Sequence, residues 1–186
     1  TGTMFACEQA NISPDLLCLA KGITAGYLPL AATLATDAMH NAFLGPPQEG
    51  RTFFHGHTYT GNPVACAAAL ASLDVFAEEN VIDQLQPKIK LLKDRLQSDI
   101  APLEHVADVR QWGTMVGIEL MQDPGRKIPY PPRDKIGALV TLKARSRGIM
   151  IRPLGNIIIL MPPLSVTVDQ LLELLDTVHD GIEEAT

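Results

Sequence analysis

The 186 residues are 46% hydrophobic and 19% charged, with a net charge of −6 and an isoelectric point near 5.3; this balance argues against nucleic acid or an anionic membrane as the main partner. No apolar run is long enough to span a bilayer, and the opening Thr1-Gly2-Thr3-Met4 lacks the basic region and apolar core of a secretory signal. The length allows one domain, or two small ones, with a sizeable core.

Three widely spaced cysteines, Cys7, Cys18 and Cys66, lie in apolar settings. They predict reduced, buried thiols in a cytoplasmic protein rather than a disulfide framework. The chain opens inside a turn with no element before it, and is expected to be truncated at its front.

Composition divides the chain in two. The first region, about residues 1–80, is rich in Ala, Leu, Thr and Gly. Apolar runs at Leu16–Ala20 and Leu28–Leu34, separated by Lys21-Gly22 and Gly26-Tyr27, predict a hairpin-like pair of buried strands. After a loop from Phe53 to Gly61, Asn62-Pro63 is a strong helix start, an N-cap followed by proline at the first helical position. The predicted helix, Val64 to about Glu78, is apolar on nearly all sides as far as Asp74, so its first half is expected to be buried.

The second region runs from about Val81 to the end. Ile82, Leu85, Ile89, Leu92 and Leu96 mark one stripe of a helix that Pro87 is expected to kink or restart. Strands are predicted at Val106–Gln111 and Met115–Met121 around Gly113. Asp123–Pro132, with four prolines and a glycine, is predicted to be a loop. A helix begins at Ile136, Leu139 and Val140 and closes at Arg145, Arg147 and Gly148. A strand follows at Asn156–Met161 after a bend at Pro153-Leu154-Gly155. The last helix opens on a capping box, Thr167 with Gln170, and carries a core stripe of Leu171, Leu174, Leu175, Val178 and Ile182. Helices alternating with strands make the fold α/β or α+β. Trp112, beside Gly113, is expected in the core of this region, and Cys66 as a small core residue of the earlier helix.

Three features could carry chemistry. Lys21 closes an apolar run and is followed at once by Gly22, where desolvation favours the free amine that attacks an aldehyde; the same local pattern also fits a lysine snorkelling from a strand end. The loop His55-Gly56-His57-Thr58-Tyr59-Thr60-Gly61 offers flexible backbone, threonine hydroxyls and a helix N-terminus beyond it, the ingredients of an anion site or of an ordinary capped loop. His55 and His57 share a face, but no third ligand stands near them to make a metal site. Arg152, between apolar neighbours, suits bidentate capture of a carboxylate and equally a structural ion pair. Tyr27 and Tyr59 flank these elements and could line a pocket.

Together the pieces resemble a known family. The segment Asp15-Leu16-Leu17-Cys18-Leu19-Ala20-Lys21-Gly22-Ile23-Thr24-Ala25-Gly26-Tyr27-Leu28-Pro29-Leu30 resembles the lysine segment of class III (omega-type) aminotransferases, and His55–Pro63 with Val64-Ala65-Cys66-Ala67-Ala68-Ala69 resembles their phosphate loop and following helix. The resemblance covers essentially the whole chain. It implies an α/β chain of PLP-dependent transferase fold type I, with the latter part of the large cofactor-binding domain at residues 1–80 and the small α+β C-terminal domain at 81–186. It implies pyridoxal 5'-phosphate held by Lys21, with Thr58 and the adjacent His57 contacting the phosphate across a homodimer interface. Gly56 would contact substrate through its backbone, and Arg152 would bind a substrate carboxylate.

Leu30-Ala31-Ala32-Thr33-Leu34, His57-Thr58-Tyr59-Thr60, and Ile151-Arg152-Pro153 with Leu160-Met161-Pro162-Pro163 are similar to the biotin-pathway branch of the class. That branch uses S-adenosylmethionine as amino donor and 7-keto-8-aminopelargonate as acceptor. Ile159 departs from it, standing where some members carry a tyrosine near the substrate. The family's pyridinium-binding Asp, stacking aromatic residue and first phosphate loop match positions ahead of Thr1. Two alternatives stay open: a class III enzyme using an ornithine, beta-alanine or lysine-type donor, and a non-catalytic fragment that serves only in folding or dimerisation.

Overall fold

The computed structural model describes all 186 residues. Regular structure begins with a short helix, α1 (Ala6–Ala10), where the Glu8 carboxylate accepts from the Phe5 amide at 2.6 Å. Strands β1 (Leu16–Ala20) and β2 (Ala31–Ala35) then pair antiparallel, with Leu17 opposite Leu34 and Leu19 opposite Ala32. Thr36 caps α2 (Asp37–Ala42), its hydroxyl accepting from the Met39 amide at 3.4 Å. Helix α3 (Pro63–Glu78) packs against the Lys21–Thr24 turn that follows β1. These elements form one compact unit, Phe5–Val81.

The paired strands arise as the apolar runs predict, but they are not buried. Along β1, half-buried and exposed residues alternate, and only Thr24, Ala65 and Ala69 are fully buried in the whole unit. The first half of α3 is likewise more open than its composition suggests, with Val64 66% and Leu70 63% exposed. An all-apolar helix asks for neighbours on every side, whereas here it packs along the stripe of small residues that meets the turn. Apolar composition measures how much cover a helix would accept and says nothing of how many neighbours it has. Cys18 is exposed and Cys7 and Cys66 are half-buried, all three free, so the expectation of buried thiols does not hold.

The second unit comprises Ile82–Thr186 with Thr1–Met4. Helix α4 (Val81–Arg95) passes through Pro87 without restarting. Pro87 is exposed, and on the solvent side of a helix a carbonyl without its helical partner is open to water. The helix widens into a π turn, Leu96–Ile100, in which the Ala101 amide reaches back to the Leu96 carbonyl. Strands β3 (Val106–Trp112), β4 (Met115–Asp123), β5 (Ile128–Pro129), β6 (Arg152–Leu154) and β7 (Ile157–Leu160) form an antiparallel sheet in the order β3-β4-β7-β6, with β5 added on β4. Helix α5 (Ile136–Ser146) precedes β6, and α6 (Val168–Ala185) ends the chain.

Two-residue alternation builds the core. Val116, Ile118 and Leu120 of β4 and Ile158 and Leu160 of β7 all face one side, where they meet Leu92, Leu96 and Ile100, Ile136 and Val140, and the full α6 stripe Leu171, Leu174, Leu175, Val178 and Ile182. The capping box at Thr167 and Gln170 forms as predicted. Trp112 does not join the core. On β3 it shares the outward face with Asp108 and Arg110 and is 57% exposed, because strand alternation overrides hydrophobicity. The proline-rich segment expected as a loop supplies β5. Of Pro153-Leu154-Gly155, expected as a bend, Pro153 and Leu154 belong to the edge strand β6, a place where a missing proline N–H breaks no ladder.

Gly113 turns the β3–β4 hairpin at φ +61°, and a Cβ there would lie 2.6 Å from the Thr1 backbone. Gln86 donates to the Gly2 carbonyl at 2.7 Å, so the first residues are tied to this unit. Arg95 joins the end of α4 to Asp99 and, at 2.6 Å, to Asp176 of α6. The Ser98 hydroxyl and then the Arg95 guanidinium hold the Asp99 carboxyl below its ordinary value.

Ile118 is fully buried on the central strand, so Ile118→Ala should destabilise the second unit by about 2–5 kcal/mol. The fall in the urea midpoint of the Ile82–Thr186 transition measures it, and an unchanged midpoint would refute this placement of the core.

Candidate functional site

The Lys21 turn starts from strand geometry. Ala20 is still extended and pairs with Ala31. At Lys21 the backbone swings to φ +56°, a left-handed conformation in a non-glycine residue, which costs about 1–2 kcal/mol and requires external support. Thr24 supplies it. Only 1% exposed, its hydroxyl donates to the Leu28 carbonyl at 2.5 Å and accepts from the Leu28 amide at 3.4 Å. The Ala25 amide closes back on Gly22 at 2.9 Å and the Tyr27 amide on Thr24 at 3.1 Å. Sequence reading missed Thr24; the available signal was a threonine just ahead of Ala25-Gly26, the setting in which its hydroxyl bonds local backbone. The Lys21 side chain is exposed, because the two-stranded pair leaves its faces open, so the desolvation expected at a strand end is absent. Its amine takes part in none of the chain's ion pairs.

The loop ahead of α3 is organised by its own polar groups. The Thr60 hydroxyl accepts from the His57 amide at 2.9 Å, the Thr60 amide donates to the His57 carbonyl at 2.9 Å, and the Tyr59 amide donates to His57 Nδ1 at 3.1 Å. Thr58 is left with both its amide and its hydroxyl uncommitted and exposed. Gly56, at φ +151°, adopts backbone that a side chain would resist. The α3 N-terminus is not the donor that composition suggests. Asn62 Oδ1 already accepts from the Val64 and Ala65 amides at 3.0 and 3.2 Å, and Pro63 has no N–H. The hydrogen bonds available to an anion therefore come from the loop. His55 stacks on Phe53, 5.3 Å between centroids, while His57 Nδ1 accepts from the Tyr59 amide. Tyr27 and Tyr59 are 86% and 74% exposed.

Arg152 lies in the other unit, on edge strand β6. Six arginines (51, 95, 110, 126, 133 and 147) meet carboxylates of the chain, which leaves Arg152 and Arg145 free for an external one. Arg152 is exposed, directly across the ladder from Ile159. The position that departs from the family pattern is thus the cross-strand neighbour of the arginine that matches it.

The aminotransferase class-III family model matches residues 1–182. The chain is 57% identical over 189 residues to the adenosylmethionine-8-amino-7-oxononanoate aminotransferase of Nitratidesulfovibrio vulgaris, covering all of this chain and 34% of that protein. The crystal structure of the enzyme of that name from Methanocaldococcus jannaschii superposes with a TM-score of 0.92 at 51% identity, over all of this chain and 43% of that one. An amine transaminase from an uncultivated Pseudomonas species, solved in its PLP-bound form, superposes at 0.90 with 34% identity, over all of this chain and 42% of that one. The chain therefore spans between a third and a half of the length of the relatives it matches.

Because Asn62 satisfies two amides at the start of α3, Asn62→Ala should weaken that helix by about 1 kcal/mol. Faster amide hydrogen exchange at Val64 and Ala65 than in the parent is the expected readout; unchanged protection would mean the cap does not hold the helix start.

Proposed function

This chain belongs to the aminotransferase class-III family, and on that premise we propose that it forms the lysine-bearing part of an enzyme that transfers an amino group from S-adenosylmethionine to 7-keto-8-aminopelargonate, giving 7,8-diaminopelargonate in biotin biosynthesis. The carrying observation is Lys21, an uncommitted amine on a left-handed turn braced by buried Thr24. Backbone held in a sparsely populated conformation by its surroundings is a mark of functional sites. The 57% identity to a protein of that activity supports the substrate pair.

The residues present fit pyridoxal 5'-phosphate. Lys21 offers the primary amine that anchors the cofactor's aldehyde, and Thr58 offers a free amide and hydroxyl to phosphate oxygens. When bound, the cofactor supplies an electron sink that acidifies the carbon bearing the donor's amine. Lys21 Nζ takes the proton from that carbon and, in the second half of the cycle, returns one to the acceptor's carbon, acting as general base and then acid. The His57–Thr60 hydrogen bonds hold the loop so that Thr58 points its donors outward. Gly56 brings its backbone close to substrate. The planar Arg152 guanidinium holds the carboxylate of the acceptor through two parallel hydrogen bonds. Two substrates using one lysine in turn require ping-pong kinetics.

In this reading Phe5–Val81 is part of the cofactor-binding large domain and the unit from Ile82 is the small domain. The enzyme is a cytoplasmic homodimer in which His57 and Thr58 serve the phosphate bound by the partner subunit.

With S-adenosylmethionine as sole donor, the holoenzyme should convert 7-keto-8-aminopelargonate to the diamine, followed by mass spectrometry. No transfer from that donor, with transfer from ornithine or beta-alanine, would move the chain to another branch of the class. Lys21→Ala should lower kcat by about 100-fold or more while leaving the fold intact by circular dichroism; retention of wild-type turnover would remove Lys21 from the chemistry.

A further inference from the structure

Gly137, the second residue of α5, is buried and helical, so its lack of a side chain answers no need for unusual backbone. It answers a need for space. A Cβ at this position would lie 2.2 Å from the Gly155 carbonyl oxygen and 2.8 Å from Pro153 Cβ. Real Cβ atoms essentially never come within 3.0 Å of another heavy atom, and the nearer obstacle is backbone. The β6–β7 turn is thus seated directly on the bare backbone of α5. On its other sides the turn is equally fixed: the Leu120 amide donates to the Asn156 carbonyl at 2.9 Å, and Asn156 Nδ2 donates to the Tyr130 carbonyl at 3.0 Å.

Arg152 is the residue immediately before this seat. Strand alternation sends Pro153 inward toward Gly137 and leaves Arg152 and Leu154 exposed. Because the proline ring fixes its own φ and restricts the residue before it, a displacement of Pro153 passes to the Arg152 backbone rather than being absorbed between them. We propose that Gly137 is a positioning residue for Arg152: the missing side chain sets the height of the β6–β7 turn over α5, and through Pro153 the direction in which the guanidinium meets a carboxylate. The inference rests on the reading of Arg152 as the carboxylate-binding residue. Clearing an added Cβ requires the turn to move by roughly an ångström, a misplacement that can cost up to about 100-fold when it disturbs a substrate-positioning group.

The test compares Gly137→Ala, Pro153→Ala, Gly181→Ala and Arg152→Gln in the holoenzyme, with the donor and acceptor half-reactions measured separately. Gly137→Ala should raise KM for the keto acid about tenfold or more, leaving the donor half-reaction and the acceptor kcat near their starting values. Loss of folded protein alone would depress both halves together. Gly181→Ala is the control for a methyl added against α5: its Cβ would meet the Val140 carbonyl oxygen at 3.4 Å without touching the turn, and it should leave the acceptor KM unchanged. A folded Gly137→Ala enzyme with the parent's acceptor KM overturns the proposal, as does an equal rise in Gly181→Ala. If Gly137→Ala fails to fold, Pro153→Ala decides, since it keeps the Cβ that faces Gly137 and removes the ring that couples the turn to Arg152: a raised acceptor KM supports the coupling, and an unchanged one overturns the proposal. An unchanged acceptor KM in Arg152→Gln refutes the role of Arg152 and takes the inference with it, an outcome distinct from failure at Gly137 alone.

Discussion

The buried face of β4 is the constraint from which the second unit follows. Val116, Ile118 and Leu120 stand at every other position and exclude water only if helices cover them. Each aliphatic side chain taken fully out of water contributes about 1.5–3 kcal/mol, so α4, α5 and α6 are held to one side of the sheet. The opposite face is left to charged groups such as Arg110, which meets Asp108 and Glu119 at 2.7 Å. Once α5 is docked, the approach of its bare Gly137 backbone determines where the β6–β7 turn rests, and Arg152 emerges at the sheet edge with no carboxylate of its own chain to neutralise it.

The first unit is held by other means. With three fully buried residues, it has too little apolar burial to fix a turn by packing, and its candidate groups are placed by hydrogen bonds. Thr24 braces the left-handed Lys21 turn from beneath, and His57 and Thr60 close the loop that leaves Thr58 open. A two-stranded pair is marginal in water without further cover.

Much of this was legible along the chain, and where reading failed the failures share a cause. The α6 stripe, its capping box, the Asn62 start of α3 and the antiparallel pairing of the two apolar runs follow from periods and caps, which are local. Lys21, the threonine loop and Arg152 are legible as candidates, and the roles proposed for them rest on resemblance. Trp112 was misplaced because its hydrophobicity was weighed without its parity on β3. Pro87 and Pro153 suggest breaks along the chain, whereas their exposure and edge position, which make them harmless, are properties of the assembled sheet and helices. The buried character assigned to β1, β2 and the start of α3 assumed neighbours that composition cannot count.

By itself the order of residues determined which segments became helix or strand, where helices start, and which side chains share a face, because backbone sterics and side-chain periodicity act within a few residues. Only the tertiary structure decided which faces are covered, that α3 packs on the Lys21 turn, and that Gly137 lies under the turn beside Arg152. Those outcomes depend on close approaches between groups such as Gly137 and Gly155, or α3 and the Lys21 turn, that are distant along the chain. Their distances are set by packing, which no local pattern encodes.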